Sequence, residues 1–269
     1  MSISGKIARL ALRLAVVMSV VTVVSVPAAA QTVEKRGRAG EGETHLVLTY
    51  KAPIEKRVAF RKYMESSGVA QFEGWRNKGV FTGYKILFAT QVNEQLPDMW
   101  VIIDFAKFDD VAKWHSIQRD YPGGLAPEGI ALGAPKTDIY TDLVWQGGIA
   151  KADQSKSLYI IIPYISLVAS EKYADFVNKY VVPQLTGWAE SGLMPSYAIY
   201  LNQNPTNAPW HSLLLLEYDG IRGIALRDSL KEKIRGRLAN DPGYKQYSEI
   251  KTTIRKELEP ATFEVILPK

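Results

Sequence analysis

The sequence predicts an α+β fold in which two units of the order β-α-β-β-α-β follow one another along the chain. The first observation behind this prediction is an internal repeat. Its Gly, Trp, Gly and Tyr residues recur at the same offsets: Gly74, Trp75, Gly79 and Tyr84, then Gly187, Trp188, Gly192 and Tyr197. The second is that the pairs Asp104-Phe105 and Glu217-Tyr218 keep that offset further along the chain. The third is that short β-branched and aromatic runs, typical of strands, alternate with helical patterns in the same order in both copies.

The first unit is expected to span residues 44–148. Its predicted elements are a strand at 45–50, a helix from Pro53 to about Ser67, strands at about 80–90 and 99–105, a helix beginning near Asp109 and a strand at about 137–145. Because glycine interrupts helices and permits tight turns, we expect Gly74, Gly79 and Gly83 to mark the turn into the second strand.

The second unit is expected to span residues 156–269 and to repeat that order. Its predicted elements are a strand at 158–164, a helix at about 168–185, strands at 193–202 and 211–218, helices at about 224–239 and 244–256, and a strand at 262–267. The run Asn240-Asp241-Pro242-Gly243 separates the last two helices, because proline and glycine end helices.

Residues 1–30 have the pattern of a secretory signal peptide. Basic residues come first (Lys6, Arg9 and Arg13), an apolar run at 14–26 follows, and Ala28-Ala29-Ala30 offers small residues for cleavage. The apolar run is short for a membrane span. We therefore expect cleavage after Ala30, a flexible polar leader at 31–43, and export to the periplasm or the outside. The alternative is an uncleaved membrane anchor.

Charge and cysteine content exclude several classes of function. The formal charge of +5 comes from 33 basic and 28 acidic residues, and three of the basic residues lie in the predicted signal peptide. The mature chain is therefore nearly neutral, which argues against a nucleic-acid partner, since phosphate binding needs a clustered basic surface. We also expect no membrane partner once the signal is removed. The chain has no cysteine, which excludes thiolate nucleophiles, iron–sulfur clusters and cysteine-ligated zinc.

Each predicted unit has the ferredoxin-like, or split βαβ, pattern: a four-stranded antiparallel sheet with both helices on one face. Two such sheets can close their bare faces against each other. The result is an α+β barrel of about eight strands, with helices outside and room inside for one small ligand. In topology and repeat length the chain resembles the dimeric α+β barrel superfamily in its fused, tandem form, over about residues 45–267. That superfamily includes cofactor-free monooxygenases, isomerases and lyases, and haem proteins such as chlorite dismutase, so the resemblance leaves the activity open.

Asp104 and Glu217 are the candidate catalytic acids or bases. Strand alternation places Asp104 on one face with Trp100 and Ile102, and it places Glu217 among the leucines of its own strand. If that face lines the barrel, a carboxyl group in apolar surroundings is suited to general acid or base catalysis. The alternative is structural, because both acids end their strands and can cap a turn there.

His45 and His211 are the preferred catalytic histidines, because residues at the start of strands can line a barrel cavity. His115 lies on a predicted helix. None of the three has another histidine or an acid pair at the spacing of metal ligands, so we predict no metal site. For each histidine the alternative is a structural or surface role.

Seven further side chains are candidate contacts for a substrate: Tyr50, Tyr84, Trp100, Arg119, Tyr121, Tyr164 and Tyr197. Tyr50 and Tyr164 occupy matching ends of their strands, and a tyrosine hydroxyl can bind a carbonyl or phenolate oxygen. Arg119 and Tyr121 precede a Pro-Gly-Gly turn and are candidates for a polar opening, with a helix terminus that binds nothing as the alternative. The alternative for the aromatic residues is core packing at the junction of helices and sheet.

No G-x-S-x-G elbow, P-loop or G-x-G-x-x-G fingerprint occurs, which argues against serine hydrolases, ATPases and nucleotide-dependent dehydrogenases. The leading hypothesis is an exported enzyme without a cofactor, a lyase or isomerase with carbon–carbon cleavage among its options, acting on a small apolar or aromatic molecule in the barrel. Two alternatives stay open: a periplasmic ligand-binding protein without catalysis, and a haem protein resembling the chlorite dismutase branch. Units of this kind often assemble further, so a homo-oligomer is also considered.

Overall fold

In the computed structural model, which describes residues 42–148 and 153–267, the strands form one sheet that closes into a barrel. The strands are β1 (Thr44–Lys51), β2 (Gly83–Ala89), β3 (Met99–Phe105), β4 (Ala134–Gly148), β5 (Leu158–Ser166), β6 (Ser196–Asn202), β7 (Ser212–Tyr218), β8 (Arg255–Glu257) and β9 (Ala261–Ile266). The order around the ring is β7-β6-β4-β1-β3-β2-β9-β5, and β5 pairs back to β7, while β8 lies beside β5 outside the ring. The predicted closed barrel of eight antiparallel strands is therefore confirmed.

The two halves of the barrel have the same strand order. In the first half the order is β4-β1-β3-β2, and in the second it is β9-β5-β7-β6. The halves join where β4 pairs with β6 and where β2 pairs with β9. This order agrees with the pattern expected for each half, while the description of the halves as two copies of one ferredoxin-like unit remains an interpretation.

The helices pack on the outside of the barrel. They are α1 (Arg57–Tyr63), α2 (Val69–Asn77), α3 (Val111–Asp120), α4 (Pro127–Leu132), α5 (Ser170–Phe176), α6 (Val182–Glu190), α7 (Gly220–Ala225), α8 (Arg227–Leu238) and α9 (Pro242–Ile254). Outward residues of β1, such as Leu46 and Leu48, share a buried cluster with Phe60, Phe72 and Trp114 from the helices. A second such cluster covers the other half of the barrel. These two layers bury the outer face of the sheet.

A π-helical turn joins two helices at the same place in each half. Met64–Gly68 links α1 to α2, and Val177–Val181 links α5 to α6, at the offset that separates Gly74 from Gly187. The helix therefore continues well past Ser67, and the expectation that Gly74 marks a turn is wrong. A glycine inside a helix costs only about 1 kcal/mol relative to alanine, which burial of neighbouring aromatic side chains outweighs.

The interior of the barrel is packed with side chains around its middle. These inward residues are Val47, Leu87, Ile102, Ile161, Leu213 and Phe263, each at most 2% exposed. A ligand-sized chamber through the centre was expected from the strand number, and this expectation is wrong, because branched and aromatic side chains fill the space. Space for a ligand lies instead where the strands end.

A bulge in β4 changes which side chains face inward. The register against β6 shifts between Leu143 and Trp145, so that Leu143 pairs with Tyr200 and Gln146 with Ala198. Trp145 therefore packs outside, where its Nε1 donates to Oδ1 of Asn178 at 2.7 Å. After the bulge, the side chain of Gln146 faces the inside of the barrel, although regular in–out alternation counted from Leu143 would place it outside.

The predicted signal peptide, and all of the leader before residue 42, lie outside the described residues. Within the part of the chain that the structure describes, no helix combines the length and the apolar character that a bilayer crossing requires.

Candidate active site at one end of the barrel

One end of the barrel gathers polar side chains around an open cavity. Because neighbouring strands are antiparallel, β1, β2, β5 and β6 begin at this end and β3, β4 and β7 finish there. We call this end the mouth. Its cavity of about 400 Å³ is lined by ten residues, including Lys85, Leu143, Gln146, Ser196, Tyr200 and Leu215. A cation, an amide and hydroxyl groups thus meet apolar side chains, a combination that suits a small, partly apolar molecule.

Lys85 is the charged side chain among the described residues that line the mouth cavity. It faces inward because it alternates along β2 with Leu87 and Ala89, which belong to the barrel interior. Its Nζ lies 3.2 Å from the hydroxyl oxygen of Tyr159 and 4.4 Å from the centre of that ring. The ammonium is therefore held at the edge of the packed interior.

Burial and charge act in opposite directions on Lys85. Desolvation lowers the pKa of Lys85 below its ordinary value of 10.5, and the nearby carboxylates of Glu217 and Asp104 oppose that shift. A lysine whose pKa is lowered in a cavity wall releases its proton more readily than a solvated lysine does.

Two buried tyrosines complete the inner wall of the mouth. Burial raises the pKa of Tyr159, and the charge of Glu217 raises it further. Burial likewise raises the pKa of Tyr200, with a smaller contribution from Asp104. Both hydroxyl groups therefore keep their protons and remain hydrogen-bond donors throughout the physiological pH range.

His45 and Asp104 form a hydrogen-bonded pair across β1 and β3, where they are register partners. Nδ1 of His45 lies 2.7 Å from Oδ1 of Asp104; the imidazole is 7% exposed and the carboxylate 43% exposed. Oδ1 of Asp104 accepts a hydrogen bond from the Nδ1–H of His45. The ring packs edge-on against Tyr200, with centroids 5.5 Å apart. The pair thus lies directly behind the cavity wall.

Glu217 is a buried carboxylate held by two serines. It accepts from Oγ of Ser157 at 2.7 Å and from Oγ of Ser196 at 2.5 Å. Its residue is 7% exposed. Asp104 and Glu217 therefore both face inward at the mouth, and each already has a hydrogen-bond partner.

The other predicted histidine lies elsewhere. His211 precedes β7 at the opposite end of that strand from Glu217. Its Nδ1 accepts from the backbone N–H of Ser166 at 3.2 Å. The preferred pair of His45 and His211 is therefore not brought together, because the length of β7 separates them.

Three of the candidate tyrosines lie on the outer face of the barrel rather than in its mouth. Tyr50 donates to the carbonyl oxygen of Gly123 at 2.5 Å under the helices. Tyr84 donates to Glu73 at 3.1 Å. Tyr164 donates to Oε2 of Glu257 at 3.2 Å beneath the second set of helices. Their expected place in the barrel cavity is wrong, since each is out of phase with the inward residues of its strand.

The remaining candidates are spread over the molecule. Tyr197 packs against Gly147 and lines the outer wall of the mouth cavity. Trp100 faces the barrel interior at the opposite end, 6.5 Å from the ring of Trp210. Arg119 is exposed on α3, and Tyr121 packs edge-on against Trp75 on the outside at 5.7 Å. The polar opening expected from Arg119 and Tyr121 therefore does not form at the mouth.

Sequence reasoning missed Lys85, Gln146, Tyr159 and Tyr200. For Lys85 the signal was present, since a charged residue alternates there with inward apolar residues, as Asp104 does on its own strand. Tyr159 and Tyr200 are in the same inward phase as Ile161 and Ala198. Gln146 could not be found by alternation, because the bulge in β4 reverses the phase just before it.

Among the described residues, the mouth holds no ligand set for a metal ion and no histidine for a haem. No group of three or more histidine, aspartate or glutamate side chains in residues 42–148 and 153–267 is arranged to hold a metal ion. His45 is buried between Asp104 and Tyr200, and His211 is bonded to the backbone. His115 lies on the surface, with Nε2 2.8 Å from the hydroxyl oxygen of Tyr140. No histidine lines the mouth cavity, so none is placed there as an axial ligand.

Comparison with known proteins identifies the fold and not the family. No family model matches the sequence, and no curated protein matches it. Solved structures do match. An anthrone oxidase-like protein superposes with a TM-score of 0.55 at 11% identity, covering 87% of this chain and 94% of that chain.

Two candidate monooxygenases superpose in a similar way. The protein from Fusobacterium nucleatum gives a TM-score of 0.53 at 14% identity, covering 84% of this chain and 93% of its own. The protein from Lactobacillus acidophilus NCFM gives 0.51 at 12% identity, covering 84% and 95%. The fold is that of the dimeric α+β barrel proteins. Chlorite dismutases and a haem-binding protein match with TM-scores below 0.5, and at that level no functional argument follows.

Proposed function

We propose that this chain is an exported enzyme that performs acid–base chemistry on a small apolar or aromatic molecule in the mouth cavity, as an isomerase or lyase without an organic cofactor. The supporting observation is the contact between Lys85 and Tyr159, at 3.2 Å, in which burial shifts the two pKa values in opposite directions. Neighbouring groups whose pKa values are driven apart are the arrangement that acid–base catalysis requires.

Lys85 is the proposed base, because its side chain lines the cavity and desolvation favours its neutral form. A neutral amine can remove a proton from a carbon next to a carbonyl group, or from a phenol. The electron pair left behind becomes an enolate or phenolate oxygen. The hydroxyl of Tyr200, which lines the same cavity, is the proposed donor to that oxygen. Return of the proton to another carbon completes an isomerisation, and loss of a leaving group completes an elimination.

Asp104 and Glu217 are proposed to set the proton affinity of Lys85 instead of serving as the base. Both carboxylates raise the pKa of Lys85 against the effect of burial. The His45–Asp104 pair and the two serines on Glu217 fix where those charges lie. Asp104→Asn and Glu217→Gln are thus expected to change turnover by lowering the pKa of Lys85.

Proton exchange into deuterated water tests the proposal directly. A panel of small aromatic ketones is incubated with the mature protein, and exchange of the hydrogens on the carbon next to the carbonyl group is followed by NMR. We expect Lys85→Met to abolish exchange. Lys156→Met is the matched control, since Lys156 is an exposed lysine near the same end of the barrel, with a side chain 74% exposed. Equal exchange in the two variants would remove Lys85 from the reaction.

Two further outcomes distinguish the alternatives. Two matched structures belong to proteins described as candidate monooxygenases and another to an anthrone oxidase-like protein, so oxygen uptake is measured in the same samples. Uptake equal to substrate loss would replace the isomerase or lyase with an oxidase that begins from the same deprotonation. Tight ligand retention without exchange or product would support the binding protein instead.

A further inference from the structure

A second cavity lies on the outer face of the barrel, between β5, β7 and the helices α6, α8 and α9. Its volume is about 300 Å³, and we call it the basic groove. Its floor is formed by outward apolar residues of the sheet, among them Ile162, Leu214 and Leu216. The mouth residues Leu215 and Glu217 alternate with these along β7 and face inward. The two cavities are therefore separated by the sheet itself.

Three cations project toward the groove from one face of α8. Arg227, Lys231 and Arg235 follow each other at intervals of four residues, and all three line the cavity. Like charges at this spacing destabilise a helix. Burial lowers the pKa of Lys231, and Arg235 and Arg227 lower it further. Asp228 and Glu257 oppose this shift. Gln184 accepts a hydrogen bond from Nε of Arg235 at 2.9 Å, so the repulsion among the three cations is only partly compensated.

Negative charge is scarce around these cations. Of the five basic side chains lining the groove, only Arg227 has a carboxylate partner among the described residues, the exposed Asp228. Glu257 is the acidic residue of the lining, and it accepts from Tyr164 at the rim. The guanidinium of Arg255 lies 3.6 Å above the ring of Tyr164. The groove therefore has an excess of positive charge over an apolar floor.

Two buried donors in the groove have no acceptor. The hydroxyl of Tyr218 and Nε1 of Trp188 are both buried and unpaired in the described structure, and both residues line the cavity. Nε1 of Trp100 and of Trp114 is unpaired as well, so the indole alone would mean little. A buried tyrosine hydroxyl without a partner is destabilising, and burial raises the pKa of Tyr218 to about 12, so it remains a donor.

Within residues 44–148, the equivalent place in the first half lacks the hydroxyl donor and the open space. Phe105 matches Tyr218 in the repeat and has no hydroxyl group. Trp75, which matches Trp188, packs edge-on against Trp114 with ring centres 5.6 Å apart. Aromatic side chains thus pack together there, whereas cations surround an open space in the second half. The difference indicates that the groove is a feature of the second half and not a by-product of the fold.

We propose that the basic groove binds a small amphipathic carboxylate, with the apolar body on the floor of β5 and β7 and the carboxylate between Lys231, Arg235 and the Tyr218 hydroxyl. An anion there relieves the repulsion along α8 and accepts the unpaired hydroxyl proton. The volume of about 300 Å³ suits a body of one or two aromatic rings. This site is separate from the proposed catalytic mouth and does not depend on it.

Isothermal titration with naphthalene-2-carboxylate tests the proposal, with naphthalene-2-carboxamide as the neutral probe of the same shape. We expect the carboxylate to bind at least about tenfold more tightly than the amide, the effect of one charge-assisted contact. Lys231→Gln is expected to weaken carboxylate binding by about tenfold and to leave amide binding unchanged. Lys233→Gln is the control, because it removes the same charge from the same helix at a residue outside the groove.

Tyr218→Phe provides a second readout that a purely structural role would not give. Removing an unpaired buried hydroxyl should raise the thermal unfolding midpoint of the ligand-free protein while weakening carboxylate binding severalfold. Lys85→Met, at the mouth, should leave carboxylate binding unchanged. The proposal is overturned by no binding at millimolar carboxylate, by equal affinity for carboxylate and amide, by equal effects of Lys231→Gln and Lys233→Gln, or by loss of binding in Lys85→Met.

Discussion

Glu217 offers a quantitative test of what the acids at the mouth do. The carboxylate accepts from Ser157 at 2.7 Å and from Ser196 at 2.5 Å, and it is buried. Hydrogen bonds to a charged acceptor contribute about 1.5–3 kcal/mol each. Glu217→Ala removes both, so we expect it to lower the free energy of unfolding by about 3–6 kcal/mol. Glu217→Gln keeps one acceptor oxygen, so we expect a loss of about half that size.

Urea unfolding at neutral pH, followed by circular dichroism, measures both changes. The slope of the unfolding free energy against urea concentration is expected to be the same in the variants and the parent protein. Glu257→Ala is the control, because Glu257 is exposed and accepts one bond, from Tyr164 at 3.2 Å. Glu257→Ala should lower the free energy of unfolding by less than about 1 kcal/mol. A loss below about 1 kcal/mol in Glu217→Ala would refute the reasoning, because the serines would then be satisfied equally well without the carboxylate.

Three other predictions follow from the same structure. If Lys85 is the base, the rate of proton exchange rises with pH through the pKa of Lys85. Asp104→Asn should move this rise in rate to lower pH, because the Asp104 carboxylate raises the pKa of Lys85. An unshifted pH profile would contradict the assignment of Lys85 as the base. Burial raises the pKa of Tyr140 to about 12, and burial together with the hydrogen bond to Glu73 raises the pKa of Tyr84 to about 12. The stability that these two tyrosines contribute is therefore complete below their unfolded pKa of 10.0 and is lost as the pH rises above it. Tyrosinate absorbance should therefore appear together with unfolding in an alkaline titration, and gradual ionisation of the folded protein would contradict this. Gly74→Ala should stabilise the protein by about 0.5–1 kcal/mol, since nothing lies within 4 Å of the added Cβ. Gly187→Ala places a Cβ 2.8 Å from the side chain of Ile234 and should destabilise the protein, and thermal unfolding measures both changes.

The fold was largely predictable because its signals are local. The third strand was expected at 99–105 and runs from Met99 to Phe105, since a β-branched run is bounded there by Pro97 and Lys107. The repeat placed Asp104 and Glu217 at equivalent strand ends, and barrel closure then brings equivalent ends together. The length of the first helix was not predictable from local signals, because the π turn at Met64–Gly68 carries it past small residues that normally end helices.

The site was only partly predictable, because the sequence did not show which alternate residues of each strand point into the barrel. Tyr50, Tyr84 and Tyr164 were chosen for their position in the repeat, yet each lies one residue out of phase with the inward face. Applying the phase of Asp104 to every strand would have selected Lys85 and Tyr159 instead. The groove over β5 and β7 was beyond local reasoning, because it depends on how α8 packs against the sheet.

The pKa of Lys85 is the most direct test of the account. It can be read from the isotope-labelled Cε resonance of lysine in an NMR titration, with Lys85→Met assigning the signal. We predict a pKa below 10.5 for Lys85, and a further decrease in Glu217→Gln, because the opposing carboxylate charge is then removed. A value at or above 10.5, unchanged in Glu217→Gln, would show that Lys85 is an ordinary solvated lysine and would contradict its proposed role as the base.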